Sequence, residues 1–164
     1  MKKFVVMFLL FMSMIPVLSA DETFTLSAGV SVNDIPNAFF GSWRINAKLD
    51  DTNSPRTFKP QSADIWELSR VGDNITLLNP FTGAKADISL KAVEGNLIVF
   101  SKKVPYDNKE LTDTVSIRLE KSTFTGINTL LLESFSLVDG HLIKSEQARY
   151  IIKGEKISGE NVIE

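Results

Sequence analysis

From Gly41 onward the chain alternates between apolar and polar residues. In Trp43, Ile45, Ala47 and Leu49 every second position is apolar, and Ser42, Arg44, Asn46 and Lys48 fall between them. Ala84, Ala86, Ile88, Leu90 and Ala92 repeat the pattern against Lys85, Asp87, Ser89 and Lys91. Leu111, Val115, Ile117 and Leu119 do so again, opposite Thr112, Thr114, Ser116, Arg118 and Glu120. A period of two sends successive side chains to opposite faces of an extended chain, so each run predicts a strand with one buried face. Asp113 interrupts the third apolar face, which predicts a strand end reached by water. Shorter strands are predicted at 65–71, 74–78 and 97–101, and two long ones at 127–138 and 142–153.

The separators are turn chemistry: Gly72-Asp73-Asn74, Asn79-Pro80-Phe81-Thr82-Gly83, Glu94-Gly95-Asn96, Glu120-Lys121-Ser122 and Asp139-Gly140-His141. No stretch sustains a helical period. About eight strands joined in sequence by short turns predict an all-β fold, an antiparallel up-and-down meander closed into a barrel. Two connections exceed turn length, 50–63 with Pro55 and Pro60, and 102–110 with Pro105. Loops of this length are where function concentrates. The segments Phe81-Thr82-Gly83…Val93-Glu94-Gly95 and Phe124-Thr125-Gly126…Val138-Asp139-Gly140 are alike. They read as two hairpins with the same grammar, or as a duplicated hairpin.

The first twenty residues change the picture. Lys2 and Lys3 precede an apolar run from Phe4 to Met12, and Pro16 breaks it ahead of the small residues Ser19 and Ala20. This is the layout of a secretory signal peptide, 1–20, too short and interrupted for a membrane span. Residues 21–37 are polar and weakly patterned and predict a flexible N-terminal arm; 38–164 form the barrel domain. Losing two lysines leaves 16 basic against 20 acidic residues, a net charge of −4. That balance argues against nucleic acid as a partner. The chain has no cysteine, so a core of this size must hold the fold without disulfides. Together these features predict an exported protein, periplasmic or secreted.

An exported meander could also be an outer-membrane barrel, with lipid on its apolar side. Roughly eight strands enclose a space that side chains nearly fill, which leaves no watery lumen for Lys85, Asp87, Lys91, Arg118 and Glu120. Those charges are therefore predicted to face outward on a barrel without a transmembrane segment. Chemistry is sparse. His141 is the sole histidine, and no nucleophile elbow, phosphate loop or calcium loop occurs, so neither a catalytic residue, a metal site nor a cofactor is predicted. Glu133 alternates with Ile127, Thr129, Leu131 and Phe135, but Leu130 and Leu132 make its opposite face apolar too, so the pattern leaves its direction open.

Phe39-Phe40-Gly41-Ser42-Trp43-Arg44-Ile45 resembles the Gly-x-Trp opening of the lipocalin (calycin) superfamily. The motif opens the first strand, Ile35-Pro36 stands where that family has a short helix, and the first inter-strand loop is the longest. The chain departs from the family in lacking a C-terminal helix, the Asp-rich motif between later strands and a disulfide. The resemblance implies that Gly41 and Trp43 plug one end of the barrel, with Arg149 as the cation set against the tryptophan. It implies a small, mostly apolar ligand or a lipid at the open end, under a lid formed by the first loop. Phe58, Trp66, Phe100, Tyr106, Glu133, Phe135 and Tyr150 are the expected lining. Two alternatives remain: a filled barrel serving as an interaction or structural component of the cell envelope, and an enzyme with carboxylates in the barrel mouth.

Overall fold

The structure is a computed structural model and describes residues 30–159 and the short strand at 162–163. The predicted signal peptide and the first part of the predicted arm lie outside the described residues. The alternating runs all fold as strands: β1 (Gly41–Thr52), β2 (Gln61–Val71), β3 (Asn74–Leu78), β4 (Lys85–Asp87), β5 (Ser89–Glu94), β6 (Leu97–Tyr106), β7 (Lys109–Glu120), β8 (Thr123–Phe135) and β9 (Leu142–Ser158). Their order around the sheet is β4-β3-β2-β1-β9-β8-β7-β6-β5, with every neighbouring pair antiparallel. The pairing of β1 with β9 joins the first strand to the last of the meander. The result is an up-and-down barrel, nearly closed, with one unsealed seam.

The seam has a local cause. β4 and β5 are halves of one extended run separated only by Ile88. Ile88 still donates its N–H to Ile75 O of β3, at 3.0 Å. Beyond it the run leaves β3 and pairs with β6, from Ser89 opposite Ser101 to Glu94 opposite Leu97. Above Ser101, β6 is bonded to β7 alone, and its upper edge faces β4 without a ladder. Pro105 sits on this free stretch, where a residue without an N–H is tolerated. The predicted loop at 102–110 is therefore strand: β6 and β7 continue to a tight turn at Asp107-Asn108, with Asp107 at φ 50°.

Aromatic packing fills the lower half of the barrel. Trp43, Phe39, Phe40, Phe100 and Phe124 are fully buried. The rings of Trp43 and Phe124 lie 5.0 Å apart, and Trp66 stacks on Phe124 at 6.2 Å and meets Phe100 edge-on at 6.3 Å. Gly154 permits this, since a Cβ there would stand 2.3 Å from the Phe124 ring. Two 3-10 turns, Val32–Asp34 and Asn37–Phe39, lead into β1, and Ile35 is buried in the core. Ile35, in the segment expected to be a flexible arm, therefore packs against the barrel core. The two similar hairpins are not equivalent, because Phe124 is buried while Phe81 and Val138 are exposed.

Gly41 stands where the chain crosses itself. Its φ is +121°, a region open to glycine, and a Cβ would lie 1.6 Å from the carbonyl oxygen of Gly159. Past this crossing Val162–Ile163 (β10) adds to the end of β2 in parallel. Among the described residues no helix is long and apolar enough to cross a membrane.

Candidate functional site

Aromatic packing plugs the lower end of the barrel, and the β1–β2 loop packs at the upper end. At the lower end Trp43 Nε1 donates to Phe39 O at 2.9 Å. The cation against this ring is Lys156, near the end of β9: its Nζ lies 5.3 Å from the Trp43 centroid and donates to Ala38 O at 2.7 Å. Arg149, the residue expected there, is half-exposed and pairs with Asp50 at 3.4 Å. The alternation of β9 explains the difference, because Ala148, Tyr150, Ile152 and Gly154 point inward and Arg149 falls between them.

At the upper end the β1–β2 loop folds over the opening. Phe58 is buried in the core cluster. Tyr150 OH donates to Lys59 O at 2.9 Å, and burial pushes this phenol above its usual range. Glu146 of β9 accepts from Ser54 Oγ and from Thr57 Oγ1 (2.6 Å) and pairs with Lys144 at 2.8 Å. The lysine and the two hydroxyls hold its carboxyl down at about 2.

The seam holds a cavity of about 390 Å³, which lies between Ala84, Lys85 and Ala86 on one side and Lys102, Val104 and Tyr106 on the other, and reaches Leu77, Asn79, Leu111, Asp64 and Asp113. That volume is within the range of small-molecule sites. A larger groove, about 590 Å³, lies across β9, β1 and β2, but its walls are mainly outward side chains such as Asn46, Lys48 and Lys153. It is a concavity of a twisted sheet and does not enter the barrel. A third concavity, about 390 Å³, has Arg44, Ile65 and the exposed Phe81 on its walls and shares Asp64 and Asn79 with the seam cavity.

The floor of the seam cavity is polar. Asp113 is buried in the middle of β7 and pairs with Lys102 of β6 at 3.4 Å. It also accepts from Asn128 Nδ2, which bonds Thr114 O at 3.3 Å. Burial pushes the Asp113 carboxyl up, against the pull of Lys102 and Asn128, and the nearby Asp64 adds to the push. Asp113 is therefore not at a wet strand end, as the alternation had suggested. Asp64 accepts from Trp66 Nε1 at 3.2 Å, from Asn79 Nδ2 and from the Ile65 N–H at 2.9 Å. Among the described residues no buried side-chain polar atom lacks a partner, and no cluster of residues suited to a metal ion occurs.

Of the residues expected to line a site, Tyr106 alone is on this cavity, half-exposed at its rim. Trp66 and Phe100 belong to the aromatic core, and Phe58 and Tyr150 pack where the β1–β2 loop meets the upper end. Glu133 has the same parity as Ile127 and Leu131 on β8, opposite to Phe124 and Asn128, so it lies on the outer face across from Glu110. Phe135 is half-buried at the end of β8, past a register shift, with its N–H on Asn108 O at 2.7 Å. The alternation Ile98, Phe100, Lys102, Val104 was the unread signal for an inward lysine.

No protein-family model, curated protein or solved structure matches this chain.

Proposed function

We propose that this is an exported, lipocalin-like barrel that binds a small, mostly apolar molecule through its lateral seam. The observation that carries the reading is the cavity between β4 and β6. It is walled by Ala84, Ala86, Leu77, Val104, Leu111 and Tyr106 and has a polar floor. Apolar walls with a few convergent polar groups are the usual composition of a ligand site. The closed lower end, with Gly41, Trp43 and a cation on the indole, supports the likeness to lipocalins.

Native mass spectrometry of the protein purified from its own host tests this directly, through a mass increment from a co-purified small molecule. In parallel, the neutral apolar probe N-phenylnaphthylamine is expected to bind the wild type and to be lost on Ala86→Trp, which fills the cavity. Absence of both the increment and probe binding would remove the carrier reading. One observation favours the alternative of an interaction module: Leu137, Val138, Leu142 and Ile143 form an exposed apolar hairpin tip. Capture of a partner protein that is lost on Leu137→Ser/Val138→Ser, with no small-molecule increment, would favour it.

A further inference from the structure

Two carboxylates, Asp64 and Asp113, and two lysines, Lys102 and Lys85, line the seam cavity, but they do not all pair off inside it. Asp64 and Asp113 both reach it, and Lys102 is the one cation among its inward residues; Lys85 stands at the rim, exposed, on the outward side of β4. Lys102 is committed to Asp113 at 3.4 Å. Asp64 is held by three neutral donors, the Trp66 indole, the Asn79 amide and the Ile65 N–H, and no ion pair reaches it among the described residues. Those donors fix the orientation of the carboxylate without cancelling its charge. A carboxylate sheltered in this way favours a cation and disfavours a second anion.

From this geometry we infer that the ligand is an organic cation, an ammonium group on an apolar body, with the ammonium against Asp64. The apolar body lies along Leu77, Val104 and Leu111, and the Tyr106 ring at the rim offers a face to the cation as it enters. An anionic amphiphile such as a fatty acid is disfavoured on the same grounds. Inside the cavity its carboxylate would have to displace Asp113 from Lys102 and sit beside two existing carboxylates; the other lysine, Lys85, is out at the rim. The inference rests on the cavity being a ligand site and adds the head group it selects.

The test compares octylamine, octanol and octanoate at neutral pH by calorimetry, each also measured by displacement of N-phenylnaphthylamine. Octylamine is expected to bind about tenfold or more tighter than octanol, the worth of one charge-assisted hydrogen bond. Octanoate is expected to bind more weakly than either. Asp64→Asn, which keeps size and hydrogen-bonding oxygen, is expected to bring octylamine down to the affinity of octanol and to leave octanol unchanged; the octanol titration doubles as the check that the variant is folded. If octanoate binds most tightly, or if the three are equivalent, the cation assignment is wrong while the cavity reading stands. If neither the three compounds nor the naphthylamine binds, the carrier reading fails with it.

Discussion

At Gly41 the C-terminal crossing leaves no room for a side chain, and two independent constraints act at one position. A Cβ would overlap the Gly159 carbonyl, and φ lies at +121°. Gly41→Ala is therefore expected to cost more than the roughly 1–3 kcal/mol of a strained backbone position alone, read as a fall in the urea midpoint. Two cations of β9 make a sharper comparison. Lys156→Met removes a bond to Ala38 O and a charge over Trp43, and should cost about 1–3 kcal/mol. Arg149→Ala breaks only an exposed pair and should stay within about 0.5 kcal/mol. Equal effects would show that Lys156 does not secure the closed end. The buried pair follows a different rule. Lys102→Met strands Asp113 and should cost about 3–5 kcal/mol, whereas Lys102→Met/Asp113→Leu should recover most of that loss, because the pair's own desolvation offsets its attraction.

The β1–β2 loop is an element whose position depends on titration. The carboxyl of Glu146 is held at about 2, well below its ordinary 4.5, by Lys144 and the Ser54 and Thr57 hydroxyls of the loop. A depressed acid stabilises the fold fully above its unfolded pKa, and that contribution is lost as pH falls through the folded value. The stability of the wild type should therefore drop between about pH 4.5 and 2 more steeply than that of Glu146→Gln, measured by denaturant melts across that window. Parallel profiles would show that the loop is held by Phe58 and Tyr150 instead. The loop also shows how far the sequence could be read. Its length and Phe58 were visible as a candidate lid, but nothing in the polar stretch from Asp50 to Lys59 says that it is tied down by Glu146 and Tyr150, about ninety residues away.

At the scale of the whole molecule, strand identity was legible because a period of two survives wherever one face is buried, as in β1 and β7. The seam was not. Ala84 to Ala92 reads as one unbroken strand, and it is one extended run; the change of partner at Ile88 leaves no trace in a pattern that records faces and not neighbours. The cavity was missed for the same reason, since Asp64, Lys102 and Asp113 come together only when β2, β6 and β7 curve round the barrel. This architecture distributes stability unevenly. β8, β9 and β1 are bonded on both sides, whereas β4 has β3 alone and the upper part of β6 has β7 alone. Local opening follows the number of partners, so amides of Lys85–Asp87 should exchange with deuterium well before those of β8 and β9, which should approach the global unfolding limit. A bound molecule that spans the seam touches both free edges at once. It should slow exchange in β4 and upper β6 while leaving β8 and β9 unchanged, and uniform protection of all the strands without ligand would mean that the barrel is sealed and has no lateral opening.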